Sequence, residues 1–130
     1  MILADSLKKA CLFFPEKDAV LCGNKSWTYQ EFFDRLSSVS AFMKAEGIKK
    51  GDRIAILHPN CHYYLESYYA IAIAGAIAVP LNHRLAAAEL SFILNDAGAK
   101  SFGTGLNRSS TDLTPIASSI SCCCFSVFEI

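Results

Sequence analysis

Three side chains that could bind a transition metal lie close together in the middle of the chain: His58, Cys61 and His62. Imidazole and thiolate groups are suitable ligands for zinc and copper. Pro59 disfavours a helical conformation at the residue before it, so we expect the two histidines in different backbone conformations rather than one helical turn apart. Residues 122–124 are consecutive cysteines and lack the C-x-x-C spacing of a zinc site. We therefore predict a loop and a first helical turn here, and no metal site.

Glycine-rich loops that cradle phosphate groups have fixed spacings, and two partial matches occur. Gly103 and Gly105 begin a G-x-G sequence, but Arg108 occupies the third glycine position of a dinucleotide-binding fingerprint. Gly98 and Gly103 have the spacing of a Walker loop, but Thr104 and Gly105 stand where Lys-Ser or Lys-Thr is required. Neither kind of phosphate loop is predicted.

Three polar residues are candidates for a functional role, Glu66, Asn82 and His83, and two of them, Glu66 and His83, could take part in acid–base chemistry. A glutamate on an aromatic-rich helix could act as a base, and a histidine at the end of a strand could act as an acid. Neither has a partner visible in the sequence that would tune its pKa. The pattern favours a solvent-facing position for Glu66 and a turn after a strand for Asn82 and His83. No catalytic residue is predicted in this chain.

The composition is typical of one globular domain without a strong electric field. Of the 130 residues, 52% are apolar, which is enough for one core. The 12 basic and 12 acidic residues cancel. A chain without net charge attracts neither nucleic acid nor an anionic membrane, so we expect neither as a partner.

Segments for membrane insertion or export are not predicted. The longest nearly uninterrupted apolar run, residues 68–81, contains Gly75 and Pro80 and is shorter than the roughly 20 residues that a spanning helix needs. A carboxylate and two lysines within the first nine positions interrupt any signal-peptide core. We expect a cytoplasmic protein whose six cysteines are free thiols.

The first 29 residues predict a helix and a hairpin. Asp5 is a possible cap for the helix, and Pro15 would end it. Residues 19–22 and 26–29 are β-prone runs on either side of Gly23-Asn24, a tight-turn sequence. One face of the predicted helix holds four apolar side chains: Leu7, Ala10, Cys11 and Phe14.

A long amphipathic helix is predicted from Gln30, and Gly47 is placed to end it. Its apolar residues recur at helical spacing and are expected in the core: Phe32, Phe33, Leu36, Val39 and Met43.

A β-α-β unit follows. Residues 54–57 and 76–81 read as strands that are buried on both faces, because their apolar residues do not alternate with polar ones. Residues 61–74 predict the connecting helix, with Asn60 as its cap and Gly75 at its end. A single helix between the strands implies that they are parallel and joined by a right-handed crossover.

A further helix places apolar side chains on one face and ends at Gly98, before a weak strand at residues 100–103. Those side chains are Leu90, Ile93, Leu94 and Ala97. The predicted fold class is α/β: the N-terminal β-α-β portion of a doubly wound parallel sheet, with a small preceding β-hairpin.

The last part of the chain permits two interpretations. Residues 111–121 could form a helix and residues 122–128 a strand that continues the β-α rhythm, but the serine-rich composition also fits a poorly ordered tail. We therefore divide the chain into a partial N-terminal α/β subdomain at residues 1–105 and an uncertain tail, with a possible helix and strand, at residues 106–130.

Five segments resemble a known family in their order and spacing. They are WTYQEF at residues 27–32, EGIKKGDRIAIL at 46–57, Asn60, AGAIAVPLNHRL at 74–85 and ELSFILNDAGAK at 89–100. Together they resemble the start of the AMP-binding, adenylate-forming acyl-CoA synthetases and ligases. The resemblance extends from about residue 15 to residue 100.

The resemblance implies a reaction in two steps. A carboxylic acid substrate attacks ATP to give an acyl-adenylate and pyrophosphate, and coenzyme A then displaces AMP to give a thioester. The family uses magnesium, a Gly/Ser/Thr-rich phosphate loop and a catalytic lysine for this chemistry, and those motifs lie beyond the matched segments. We therefore expect a truncated enzyme that is inactive alone and has no cofactor of its own.

Arg84, in the sequence PLNHRL, is the one predicted ligand contact. It lies just after a predicted parallel strand, at the edge where open α/β sheets bind ligands. The resemblance implies that its guanidinium contacts phosphates of coenzyme A. The alternatives are that it pairs with Glu89 or covers a helix terminus.

A function from a different class stays open beside the ligase. The chain could be a non-catalytic interaction protein that binds a partner through sheet edges or apolar faces. The same exposed faces predict self-association.

Overall fold

The computed structural model describes the backbone of residues 3–104 and 126–129 and the side chains of residues 3–100. Within these ranges the elements occur in the order α1 (Leu3–Phe13), β1 (Asp18–Cys22), β2 (Lys25–Thr28), α2 (Tyr29–Ala45), β3 (Arg53–Leu57), α3 (His62–Ala74), β4 (Ile77–Pro80), α4 (Ala87–Ala97), β5 (Ser101–Thr104) and β6 (Ser126–Glu129). The predicted helix at residues 111–121 lies outside the described residues.

Helix α1 differs in two details from its prediction. The helix begins at Leu3, so Asp5 lies inside the first turn rather than capping it, where its charge favours the positive end of the helix dipole. Leu7 is buried, but Phe14 is 50% exposed. The helix ends at Phe13, and the Phe14 amide still donates to the Ala10 carbonyl at 2.8 Å, but the Phe14 side chain does not join Leu7 in the core.

The predicted hairpin is confirmed, and its second strand ends one residue early. Strands β1 and β2 pair antiparallel, with Gly23 in the left-handed region at φ 59° in the turn. Tyr29 belongs to α2 because Thr28 caps that helix: the Thr28 hydroxyl accepts a hydrogen bond from the Glu31 amide at 3.2 Å. The Glu31 carboxylate accepts one from the Thr28 amide at 2.9 Å, which completes a capping box.

Helix α2 packs as its apolar spacing predicts. Phe32, Leu36 and Met43 are 2% exposed or less. Gly47 follows the helix with φ 87°, a backbone conformation that side chains with a Cβ rarely adopt. The helix therefore contributes one apolar face to the core.

Four strands of the described part of the chain form the main sheet, in the order β4-β3-β5-β6. Strand β3 is parallel to β4 and to β5, which confirms the β-α-β unit. Strand β6 runs antiparallel to β5, so it departs from the parallel rhythm expected at residues 122–128. An antiparallel edge strand on an otherwise parallel sheet is common in α/β proteins.

Helices cover both faces of this sheet. Ile54 and Ile56 belong to a core cluster with residues of α2 and α3, whereas Ala55 and Leu57 belong to a second cluster with Leu90 and other residues of α4. Alternate side chains of a strand point to opposite faces, so β3 contributes to both cores. This two-sided packing is the doubly wound arrangement that the sequence predicts.

Strand β4 is less buried than expected. Ile77 is 50% exposed, and the interior residues of the strand are only half-buried. The prediction of a strand buried on both faces is wrong for β4 because this strand lies at the edge of the described sheet, where it has a neighbour on one side only.

The start of α3 also differs from its prediction. The helix begins at His62, with Cys61 rather than Asn60 in the capping position and no side-chain hydrogen bond to the cap. Cys61 is the last extended residue before the helix, at φ −159° and ψ 178°. The helix ends at Gly75, whose φ of 80° confirms that glycine as the terminator.

A partly buried ion pair joins α2 to α3. Arg35 donates from Nε to Glu66 Oε1 at 2.8 Å and from Nη2 to Oε2 at 3.1 Å. Glu66 is only 5% exposed, so the prediction of a solvent-facing position is wrong. The guanidinium from the neighbouring helix compensates the buried carboxylate, and its position 31 residues away hid the pair from sequence reasoning.

We expect Glu66→Gln to destabilise the fold by about 1 to 3 kcal/mol, because the Arg35 guanidinium loses its charged acceptor. The partial exposure of Arg35 keeps the expected effect below that of a fully buried pair. Urea unfolding followed by circular dichroism at neutral pH measures the change. Glu16→Gln makes the same chemical change at an exposed position and serves as the control. Equal unfolding free energies for the two variants would contradict this account of the pair.

Candidate functional site

The topology brings two loops to the carboxyl edge of the sheet. Helix α3 connects β3 to β4 on one face, and α4 connects β4 to β5 on the other. The loops after β3 and β4 therefore leave neighbouring strands towards opposite faces. Open α/β sheets bind ligands in the crevice outside the carboxyl ends of their strands, which is the edge where both loops lie.

At the opposite, amino edge of the sheet, an ion pair between Asp52 and Lys100 joins two segments of the chain. The Asp52 carboxylate accepts hydrogen bonds from the Lys49 amide at 2.7 Å and from Lys100 Nζ at 2.9 Å. The Lys49 amide bond, followed by the Lys100 ammonium, holds the pKa of Asp52 below its usual value. This carboxylate is therefore engaged in joining the turn before β3 to the start of β5.

The loop after β4 is a tight turn, as expected for Asn82 and His83. The Leu81 amide donates to the Ile56 carbonyl at 2.8 Å, which extends the pairing of β4 with β3. The Asn82 side-chain oxygen accepts a hydrogen bond from the Arg84 amide at 3.0 Å. The backbone at Arg84 is thus fixed by its neighbours, while the side chain is exposed.

Arg84 does not pair with Glu89. The Glu89 carboxylate instead accepts a hydrogen bond from the Ala86 amide at 2.9 Å, at the start of α4. Among the side chains of residues 3–100, none forms an ion pair with the Arg84 guanidinium. The guanidinium of Arg84 is therefore exposed to solvent at the carboxyl edge of the sheet, and its contact with coenzyme A stays a prediction.

The loop after β3 brings His58 and Cys61 together. The Cys61 sulfur lies 3.3 Å from Nδ1 of His58, and the same nitrogen lies 3.1 Å from the Pro59 carbonyl oxygen. His58 is only 9% exposed. Within the described residues, no group of three histidine, cysteine, aspartate or glutamate side chains could hold a metal ion.

His62 makes different contacts from its neighbours in that loop. Its ring stacks on Trp27 of β2, with centroids 4.7 Å apart and an interplanar angle of 25°. The Arg35 guanidinium, which binds Glu66, also lies 5.3 Å from the Trp27 ring. Sequence reasoning missed this cluster, although the i, i+4 spacing of His62 and Glu66 on one helix face was a visible signal.

Two of the glycines considered for phosphate binding have structural roles. Gly98 ends α4 with φ 59°, and Gly103 lies in β5, paired with Ile56 of β3. Gly105 and Arg108 lie outside the described residues.

Comparison with known proteins adds to this geometry. The model of the family described as AMP-binding enzyme matches residues 7–122. A feruloyl-CoA synthase from an Amycolatopsis species is 42% identical over 85 residues, which are 65% of this chain and 17% of that protein. A long-chain-fatty-acid–CoA ligase from Bacillus subtilis is 35% identical over 96 residues, 74% of this chain and 16% of that protein. The chain thus spans about a sixth of the length of these relatives.

A solved structure agrees with the fold. The inhibitor-bound N-terminal domain of FACL13 from Mycobacterium tuberculosis superimposes with a TM-score of 0.74 at 35% identity, covering 78% of this chain and 26% of that one. No helix in the described part of the chain is long and apolar enough to cross a membrane. With the family match across most of its length, the chain belongs to the AMP-binding family of acyl-CoA synthetases and ligases.

Proposed function

We propose that this chain forms the opening part of an adenylate-forming acyl-CoA ligase. The whole enzyme would join a carboxylic acid to ATP, release pyrophosphate and transfer the acyl group from the adenylate to coenzyme A. The observation that carries the proposal is the family match over residues 7–122, on a fold shared with an N-terminal domain of the family. The described residues supply a sheet edge and a fixed loop for this chemistry.

We propose that residues 1–105 form this partial subdomain and that the 130 residues do not catalyse the reaction alone. Transfer at phosphorus needs several cationic and hydrogen-bonding groups around the developing negative charge. The sequence contains no Gly/Ser/Thr-rich loop followed by a lysine. Among the described residues, no group of three or more histidine, cysteine, aspartate or glutamate side chains could hold a metal ion, so no magnesium ligand is proposed there.

The purified chain should show no carboxylate-dependent exchange between ATP and pyrophosphate above a mock preparation. The assay would offer ferulate and a long-chain fatty acid, the acyl groups in the names of the two relatives. The Bacillus subtilis ligase, assayed in parallel with fatty acid, is the positive control. Exchange that depends on either acid would show that the chain is itself a catalyst.

Arg84 is proposed to contact the phosphates of coenzyme A. Its backbone is held by Asn82, its side chain is exposed at the carboxyl edge, and Glu89 is engaged elsewhere. A planar guanidinium that is always charged suits a phosphate group. The proposal rests on the same membership of the ligase family.

We expect coenzyme A to perturb the amide resonances of residues 82–86, and Arg84→Gln to weaken that binding about tenfold, the effect of one charge-assisted hydrogen bond. Arg53→Gln is the control, because Arg53 begins β3 at the opposite edge of the sheet. Titrations followed by NMR give both affinities. If Arg84→Gln and Arg53→Gln bind coenzyme A equally, Arg84 is not a phosphate ligand.

A second proposal, self-association, rests on exposed apolar side chains. Leu12 is 79% exposed, Phe92 on α4 is 70% exposed, and Ile77 lies half-exposed on the edge strand. Large apolar groups on a monomer surface favour contacts with another chain. The same surface supports the alternative function as an interaction protein.

Light scattering over a concentration series should give a mass that rises with concentration. Phe92→Ser should reduce the association, whereas Lys44→Ser, at an exposed polar position on α2, should not. A monomeric mass at every concentration would rule out self-association.

A further inference from the structure

One buried nitrogen in the structure lacks a hydrogen-bond partner although it can carry a proton. Nδ1 of His62 is buried and has no partner among the described residues. The ring that carries it stacks on Trp27 and lies 3.9 Å, centroid to centroid, from Tyr63. A buried polar atom without a partner is costly, and in native proteins it commonly marks a strained or functional position.

Charged groups from several elements face this ring. Glu66 on α3 is the acidic one, and its carboxylate already accepts two hydrogen bonds from Arg35. The groups that oppose a positive charge on the ring are Lys25 on β2, Arg35 on α2 and His58 in the loop before α3. Burial and these cations therefore act in the same direction, against the protonated ring.

Protonation of His62 would disturb the stack in two ways. The imidazolium has N–H donors at both ring nitrogens, so the buried Nδ1 would carry a proton without an acceptor. A positive charge would also stand near the Arg35 guanidinium, which lies against the same Trp27 ring. Both effects are absent when the ring is neutral with its one proton on Nε2, because Nδ1 then carries no proton and the ring no charge.

The hairpin β1–β2 is the element that this contact secures. It forms a separate two-stranded sheet, and a hairpin of that size is marginal without support. Its buried contribution to the core is Val20, which is 8% exposed, and Trp27 is packed partly against the same cluster. The four-stranded sheet does not depend on the hairpin for its strand pairing.

We propose that His62, Trp27, Arg35 and Glu66 form a pH-sensitive clasp: with a neutral His62 ring the clasp holds the hairpin β1–β2 against α3, and protonation of that ring releases the hairpin. The Arg35–Glu66 pair stays closed and positions the guanidinium beside Trp27. Release exposes the start of α3, which directly follows the loop after β3 at the carboxyl edge of the sheet.

The sign of the pH dependence follows from linkage. Burial, above all, lowers the pKa of His62 from 6.5, although the Glu66 charge opposes this shift. In the released state the exposed ring regains the ordinary value. As pH falls below about 6.5, the released state therefore binds more protons than the closed state. The free energy that holds the clasp closed is fully present above that pH. It decreases as pH falls from about 6.5 to the lowered pKa of His62 in the closed state.

Trp27 is the only tryptophan of the chain, so its fluorescence reports on the clasp directly. We expect its emission to shift to longer wavelength on acidification from about pH 7.5, with a midpoint below the ordinary histidine pKa of about 6.5. The change should be reversible and should precede any loss of helical circular dichroism. A fall in intensity without a wavelength shift would show that the stack stays closed, which would overturn the proposal.

Two variants separate this histidine from other titrating groups. His62→Phe keeps an aromatic ring beside Trp27 but cannot titrate, so the pH-dependent shift should disappear. His83→Gln removes the exposed histidine after β4 and should leave the shift unchanged. An unchanged shift in folded His62→Phe would overturn the proposal.

If His62→Phe does not fold, a measurement on the unmodified chain still tests the proposal. The ring-proton resonances of its three histidines can be followed by NMR through the same pH range. The proposal requires that the midpoint of His62 coincide with that of the Trp27 shift. A Trp27 shift that follows another histidine or a carboxylate would overturn it.

Discussion

The burial of β3 along both edges and on both faces determines where the helices and loops around the sheet lie. Its backbone pairs with β4 on one side and β5 on the other, and its last four residues are all buried. Because β4 and β5 lie on opposite sides of β3, right-handed crossovers must place α3 and α4 on opposite faces. The same geometry delivers the loops after β3 and β4, which contain His58 and Arg84 respectively, to one edge of the sheet.

A second constraint is electrostatic and acts between helices. A carboxylate that is 5% exposed requires a compensating cation, and the two-pronged contact from Arg35 supplies it. That contact fixes the guanidinium, which in turn lies against Trp27 of the hairpin. Packing of the hairpin therefore depends on ionisable groups as well as on apolar area, which is why the protonation of a single ring can change it.

Much of the fold follows from local patterns. The unbroken apolar run of β3, the helical period of α2 and the glycines at 75 and 98 each act through nearby backbone geometry, so one sequence suffices to predict them. The burial of Glu66 could not be predicted in this way, because its partner lies 31 residues away. The half-exposed β4 was missed for a related reason: apolar content does not say which strand stands at an edge.

In the candidate site, too, some features follow from the local sequence and others depend on which groups meet in the folded chain. The turn at Asn82 and His83 follows from its position after a strand and is confirmed by the hydrogen bond from the Arg84 amide. The Glu89 carboxylate had two possible partners, the Arg84 guanidinium and the amide at the start of α4, and the sequence alone did not decide between them. The capping role prevails, because Glu89 lies three residues into the helix start, where its oxygen reaches the Ala86 amide.

Acyl selectivity is a different question from the scaffold. The relatives from Amycolatopsis and Bacillus subtilis are named for feruloyl-CoA and for long-chain fatty acids, yet both align with overlapping parts of this chain at 42% and 35% identity. Similarity over this segment therefore identifies the family and the scaffold, and it does not distinguish an aromatic acid from a long-chain one.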